Sequence, residues 1–274
     1  MVVTREKHHP SKGVLGCTLI IPDLLKAFRK TQSTLVLRLV LIILFQKKVA
    51  LMRMLDDLYL PDGKRLTTQI VGKPGGGKSF YLRETLMQFL KKNDDPDYRL
   101  LYICPKQEMR LGEKDPIVSV DKIAKTMRKN RAVIFYPNPY DVEAEVDYAI
   151  ELMFDMQQQN EGFKATIVVD DAQTFISSRK AASQAFRRLA LTGRSKNIRF
   201  VAVAHQAVFS KDLEGSTSYL VMFTLPVKLY HKDLNTRYGL DVEPYIEPIS
   251  SKPYSFLWFD VTKGKAQLYD PIEV

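Results

Sequence analysis

Cysteine is nearly absent from this 274-residue chain. Cys17 and Cys104 are its only two, too few for a disulfide framework or a cysteine-ligated metal cluster, so a small secreted scaffold is excluded and a reducing setting is the default. A bilayer-length apolar run is missing as well. The longest run, Leu35–Phe45, has eleven residues interrupted by Arg38, against the ~20 that a spanning helix needs. Internal repeats and low-complexity linkers are lacking, and acid is scarce at the start. Residues 1–54 hold ten basic side chains against two acidic ones, so eight of the ten net positive charges lie there and residues 55–274 keep only +2. A nucleic-acid surface in the main body must therefore come from local placement rather than bulk charge. What is present, 45% hydrophobic and 26% charged residues, is the composition of a folded globular protein.

Basic residues precede the apolar run, but only Gln46-Lys47-Lys48 follows it, with no small-residue cleavage pattern. Membrane attachment is the lesser reading of this stretch, beside a docking helix or a non-native extension. Met52 and Met54 stand just before Leu55–Tyr59, where composition becomes ordinary. Two parts are expected: a basic, partly apolar extension over 1–51 and one domain over 52–274.

From residue 66 short β-rich runs alternate with amphipathic stretches, which predicts a mostly parallel sheet flanked by helices. The expected strands are Thr67–Val71, Leu100–Cys104, Ala132–Tyr136, Thr166–Val169, Arg199–Ala204 and Tyr219–Thr224. A helix is expected to open at Asp141 as N-cap, with Val142, Val146, Ala149, Ile150, Met153 and Phe154 as its core stripe. The end of the chain reads as a β-hairpin, Tyr254–Asp260 against Ala266–Tyr269 around Lys263-Gly264.

Chemistry concentrates in Gly72-Lys-Pro-Gly-Gly-Gly-Lys-Ser79, which fits the phosphate-loop pattern G-x-x-x-x-G-K-[ST] and lies between an expected strand and an expected helix. Glycines let backbone N–H groups wrap a polyphosphate, and the following helix adds its positive N-terminal dipole. Gly72, Lys73, Pro74, Gly75, Gly76, Gly77, Lys78, Ser79 and Phe80 form the expected nucleotide-binding stretch, with Lys78 on the β- and γ-phosphates and the Ser79 hydroxyl on Mg²⁺. Ala165-Thr-Ile-Val-Val-Asp-Asp171 has the form of a Walker B strand: Asp170 for the Mg²⁺ shell, Asp171 to orient or deprotonate the attacking water. A further strand ends in His205-Gln206. Gln206 is placed to sense a γ-phosphate, whereas His205, with no second ligand at metal spacing, reads as a packing or loop histidine.

With the glycine-rich loop, the Asp170-Asp171 pair and the Gln206 strand in this order, the chain resembles the FtsK–HerA superfamily of P-loop ATPases. Genome-packaging ATPases of membrane-containing icosahedral viruses and their poxvirus-like relatives look nearest. Leu101-Tyr-Ile-Cys-Pro-Lys-Gln-Glu108 and Gly193-Arg194 with Asn197-Ile198 support the resemblance, which covers roughly residues 66–225. It implies an α/β fold of the additional-strand, RecA-like class, with ATP and Mg²⁺ as cofactors. The activity implied is ATP hydrolysis by a ring of five or six copies that moves double-stranded DNA into a preformed capsid, docked on a vertex or portal-like protein, in the virion and the host cytoplasm. Arg194 matches the arginine finger of a neighbouring subunit's site, with Arg187 and Arg188 as rivals, and Arg179 and Lys180 are the DNA-contact candidates. The superfamily usually has Glu where Asp171 stands, one methylene longer. Two other readings stay open: a membrane-associated assembly or secretion ATPase of the filamentous-phage type, and a non-motor P-loop kinase. The chain ending at Val274 in a polar hairpin weighs against the first, and a segment 104–141 with only Arg110, Arg128 and Arg131 against the second.

Overall fold

In the computed structural model, described for residues 34–63, 67–111, 116–176, 182–205, 210–225 and 228–272, a nine-stranded sheet is flanked by helices. Contacts set Leu51–Ile272 apart as one unit, described here, from residues 1–50 with 273–274. The elements are α1 (Thr34–Tyr59), β1 (Thr67–Val71), α2 (Lys78–Lys92), β2 (Tyr98–Ile103), β3 (Ile117–Val118), α3 (Ile123–Met127) and β4 (Ala132–Phe135). They continue with α4 (Val142–Gln159), β5 (Lys164–Val169), α5 (Gln184–Thr192), β6 (Ile198–Ala204), α6 (Lys211–Ser216) and β7 (Thr217–Met222). The last are α7 (Lys228–Tyr238), α8 (Glu243–Ser251), β8 (Phe256–Asp260) and β9 (Lys265–Tyr269).

The strand order is β3-β4-β2-β5-β6-β1-β7-β8-β9. β3 to β7 along that order pair in parallel, and β7-β8-β9 are antiparallel. The fold is thus the mostly parallel α/β sheet with a C-terminal hairpin that the sequence implies, with β6 lying between the phosphate-loop strand β1 and the Walker B strand β5. Both faces of the parallel part are covered, which is why its strands read as continuous apolar runs rather than as alternation. Along β2, Leu101 and Ile103 enter one core with Val146, Ile150 and Phe154 of α4, while Leu100 and Tyr102 enter the other with Tyr81, Leu82 and Phe89 of α2. The period of two sends successive side chains to opposite faces.

The strands begin earlier than the apolar pattern suggests. β2 starts at Tyr98, β5 at Lys164 and β7 at Thr217, because the register pairs Tyr98 with Lys164 and Thr67 with Thr217 although these residues are polar. Two helices, α7 and α8, occupy the proline- and tyrosine-rich stretch after Pro226 where no element is expected, and α8 carries Pro248 inside it. The hairpin starts at Phe256, not Tyr254, since Tyr254 sits in a turn at φ 65°. Asp141 holds the N-cap position of α4, but its side chain makes no capping bond; at φ −140°, ψ 33° it departs from the extended cap geometry. Glu145 instead accepts a bond from the Asn138 N–H at 2.7 Å. Among the described residues no helix is long and apolar enough to cross a membrane.

The last turn of α1 is fastened to the sheet by charge. Arg199, fully buried in β6, donates from Nε to the Leu58 carbonyl (3.0 Å), from Nη2 to the Asp57 carbonyl and to Thr68 Oγ1 (3.2 Å), and its guanidinium lies 5.6 Å from the Tyr219 ring centroid. Thr166 Oγ1 donates to the Tyr59 carbonyl. Two strands thereby satisfy carbonyls that a helix C-terminus leaves without intrahelical partners. Arg199→Met should cost about 2–4 kcal/mol, because buried carbonyls lose a charged donor. The expected reading is a lower urea midpoint at unchanged m-value; an unchanged midpoint would mean that apolar packing alone docks this turn.

Candidate functional site

The parallel ladder β5-β6-β1 brings three strand ends to one edge. Val71 pairs with Ala204 and Val169 with Ala202, so the residues that follow, Gly72, His205 and Asp170, emerge side by side. Crevices at the carboxyl ends of such strands are where α/β sheets bind ligands.

After β1 the chain makes the loop Gly72–Gly77 and enters α2 at Lys78. Gly75 (φ 72°) and Gly77 (φ 97°) take left-handed conformations that only glycine adopts at little cost. A Cβ on Gly72 would lie 2.6 Å from Phe223 Cβ, and one on Gly77 would lie 2.6 Å from Tyr254 Cδ1. The Lys73 N–H donates to the Thr224 carbonyl (2.8 Å), fixing the loop to the end of β7. This is a glycine cradle at a helix N-terminus, the arrangement that receives phosphate through backbone N–H groups.

Lys78 is buried beneath the loop. Its Nζ donates to the carbonyls of Gly72 (2.7 Å) and Lys73 (3.0 Å) and lies 3.2 Å from His205 Nδ1. Burial draws its pKa down to about 8; Asp170 pulls it back up and Lys106 pushes it further down. Burial and the cation of Lys78 hold His205 below the ordinary histidine range. The imidazole is therefore neutral, and with Lys78 donating to Nδ1 its proton sits on Nε2, which faces Asp171 Oδ1 at 3.5 Å.

Asp170 and Asp171 follow β5. Asp170 accepts from the Tyr102 hydroxyl at 3.2 Å (Oδ2) and from the Asp171 N–H at 2.9 Å (Oδ1), while burial raises its pKa. Burial and the adjacent Asp170 hold Tyr102 far above the usual phenol range, so it remains a neutral donor. Asp171, at φ 56°, is engaged on both oxygens: Oδ2 with Lys106 Nζ at 3.1 Å, Oδ1 with the Gln173 amide and, more loosely, His205. Gln173 Oε1 also accepts the His205 N–H at 3.0 Å. Burial opposes the charge of Lys106, but the hydrogen bond and charge of Asp171 outweigh it and raise its pKa.

His205 is thus a member of the site and not the packing or loop histidine expected. Lys106 and Gln173 also belong to it without having been singled out; Lys106 lies in the segment Leu101–Glu108 that carries part of the resemblance, which is the one signal that points to it. Gln206, Arg179 and Lys180 lie outside the described residues. Arg194 is exposed in a 3₁₀ turn (Arg194–Lys196) before β6, at the end of the sheet opposite the loop. The seven residues of β6 separate the two ends by about 20 Å, so Arg194 does not reach the site of its own chain. Its rival Arg188 is engaged within its own chain: it pairs with Glu151, and its guanidinium stacks 4.2 Å over Phe154.

The donor set suits Mg²⁺. A serine hydroxyl and a carboxylate are hard oxygen ligands, Ser79 is exposed at the loop, and Asp170 keeps lone pairs beyond its two hydrogen bonds. Among the described residues no three His, Cys, Asp or Glu side chains converge on a metal position. Mg²⁺ held by one or two protein oxygens and by substrate phosphates needs no such group.

No protein-family model matches the sequence, and no curated protein sequence does. Solved structures do. The genome packaging NTPase B204 from Sulfolobus turreted icosahedral virus 2, in complex with ATP-gammaS, superposes with a TM-score of 0.61 at 13% identity, over 76% of this chain and 98% of that one. The chain has the fold of a P-loop ATPase. VirB4 of Thermoanaerobacter pseudethanolicus matches with a TM-score of 0.57 at 10% identity, over 76% and 89% of the two chains. ATPases 2 and 3 of EssC from Geobacillus thermodenitrificans match with 0.53 at 13%, over 77% of this chain and 41% of that one. At 10–13% identity these likenesses show the fold, which is the one that the FtsK–HerA resemblance implies.

The lowered pKa of Lys78 predicts proton uptake on phosphate binding. Above pH ~7.5, where a terminal phosphate is already ionised, a bound polyanion favours the charged amine and raises its pKa. Calorimetry in two buffers of different ionisation enthalpy should show ~0.5 proton taken up at pH 8 and more at pH 9, with affinity falling as pH rises through this range. Uptake that does not change with pH would mean that Lys78 is charged throughout.

Proposed function

We propose that the chain is an ATP-hydrolysing ring motor that translocates double-stranded DNA into a preformed viral capsid. The observation that carries the ATPase part is the joining of the glycine cradle to the Walker B carboxylates through Lys78, His205 and Asp171. In this reading the backbone N–H groups of Gly75–Ser79 and the amine of Lys78 hold the β- and γ-phosphates. Ser79 and Asp170 hold Mg²⁺, which when bound neutralises charge on the phosphates. Asp171 orients the attacking water and accepts its proton once Lys106, whose side chain is half exposed, moves to the phosphate. Gln206 reads the γ-phosphate. The distance of Arg194 from its own site supports an action in trans, on a neighbouring copy, and hence a ring whose sites are completed at the interfaces.

The motor part of the reading draws on the resemblance and on what the neighbour B204 is described as, a genome packaging NTPase. Arg179 and Lys180 are the candidates for gripping the DNA backbone, since a translocating motor needs phosphate contacts without base readout. A capsid vertex or portal-like protein would dock the ring, and the sites of action would be the packaging vertex of the virion and the host cytoplasm.

ATP hydrolysis by the full chain, with and without long double-stranded DNA, tests the proposal. DNA should stimulate turnover, Lys78→Ala and Asp171→Asn should each lower it by roughly 100-fold or more, and Arg194→Ala should do the same while leaving ATP bound. Mixing Lys78→Ala with Arg194→Ala should restore part of the activity, because one variant supplies the arginine and the other the intact loop. Turnover indifferent to DNA overturns the packaging motor, and a mixture as inactive as its components overturns the shared site.

A further inference from the structure

A second feature lies beside the glycine cradle. Lys252-Pro-Tyr-Ser255 is closed by a bond from the Ser255 N–H to the Lys252 carbonyl (3.2 Å). Proline at its second position and a positive φ, 65°, at its third are the marks of a type II turn, whose third position favours glycine. Tyrosine occupies it instead. Its ring is not buried as compensation, for Tyr254 is 54% exposed. Lys252 pairs with Asp270 beyond β9 (2.7 Å), which holds the base of the turn to the hairpin.

The ring is directed at the phosphate loop. Tyr254 Cδ1 stands where a Cβ on Gly77 would be, at 2.6 Å, so the glycine before Lys78 is also what lets the ring approach. Its centroid is 6.4 Å from that of Phe80, with the planes 37° apart. Phe80 is half-buried at the first turn of α2, and the Arg83 guanidinium lies 5.5 Å from its ring centroid. An exposed aromatic ring thus stands next to a polyphosphate cradle, on a turn whose backbone is held in an unfavourable conformation, and it faces a second ring and a cation carried by α2.

We propose that Tyr254 and Phe80 form the base platform of the nucleotide site, with Tyr254 stacking on a purine whose phosphates lie in the cradle. The inference rests on the nucleotide-binding reading above and adds the part of the ligand that glycines and Lys78 do not recognise. A phosphate cradle binds any polyphosphate. Stacking on an aromatic face is what makes the base contribute, and a purine, with two fused rings, offers it the larger area. The Gly77 contact ties the platform to the loop, so base and phosphate binding are set by one local geometry.

The test compares ATP with inorganic tripolyphosphate, each titrated with Mg²⁺ into the full chain and into Tyr254→Gly, Tyr254→Phe and Tyr254→Ala. Tyr254→Gly is the informative variant, because glycine relieves the turn; its thermal midpoint should be equal or higher, so any loss of binding is not a loss of fold. ATP affinity should fall about tenfold in Tyr254→Gly and Tyr254→Ala and stay near wild type in Tyr254→Phe, while tripolyphosphate affinity changes less than twofold in all three. ATP and tripolyphosphate weakening together would overturn the platform and leave Tyr254 a support of the loop. Unchanged ATP affinity would overturn it as well. A wild-type chain that binds neither ligand would sink the nucleotide reading itself, and the platform with it.

Discussion

The register of three parallel strands is the constraint from which the site follows. β1, β6 and β5 pair so that Val71 stands beside Ala204 and Ala202 beside Val169. Nothing in the loops themselves would bring Gly72, His205 and Asp170 together, since Asp170 lies 98 positions beyond Gly72 and His205 a further 35 beyond Asp170. A slip of one residue in either ladder would exchange the side chains that the strand sends to the two cores and withdraw one strand end from the edge. The apolar burial that fixes the register, with every residue of β1, β6 and β7 buried, also fixes the chemistry. Core packing and catalytic geometry are here one requirement.

Legibility in the sequence follows the range of the interactions. β1 is read with its bounds, and the phosphate loop with the residues that form it, because both depend on local pattern: a short apolar strand, glycines where the backbone must turn, a lysine and a serine at fixed spacing. The carboxylate pair is legible for the same reason. His205 and Lys106 are not, since their roles come from contacts across the sheet. His205 meets Lys78 over 127 positions, and Lys106 meets Asp171 over 65. A histidine at a strand end looks the same whether or not a lysine waits for its ring nitrogen. The N-cap at Asp141 fails in the opposite way: the residue type is right, and the backbone it adopts removes its side chain from the helix N–H groups. Tyr254 is misread because tyrosine is a residue type that strands favour, whereas Pro253 and the Lys252–Ser255 bond hold it in a turn and delay the strand to Phe256.

Burial does two different things to the charged groups here. On Lys78 it lowers the pKa to about 8, so the amine is held in place by the Gly72 and Lys73 carbonyls at the edge of neutrality. On Asp170 it raises the pKa, and Tyr102 and the Asp171 N–H act against that by stabilising the anion. An amine that gives up its proton more readily and a carboxyl that retains one more readily are both short of a counter-charge. A triphosphate with its cation supplies one to each. Both needs are of the kind a nucleotide and its cation would meet in the proposed reading, whereas Arg199, buried in β6, has Nε and Nη2 engaged by the Leu58 and Asp57 carbonyls of α1 and serves the fold.

The shorter acid at position 171 fits its backbone. The resemblance implies Glu there, and Asp would leave a carboxylate one methylene short of the same point. Yet Asp171 lies in the left-handed region, at φ 56° and ψ 36°, where aspartate is far better tolerated than most residues because its carboxylate bonds to nearby backbone and side chains. The turn carries the residue around Asp170, whose Oδ1 accepts the Asp171 N–H, and presents its carboxylate to Lys106 at 3.1 Å and to His205 at 3.5 Å. Backbone direction thus supplies reach that the side chain lacks. The length of residue 171 and the conformation that carries it therefore act together in setting where the carboxylate stands.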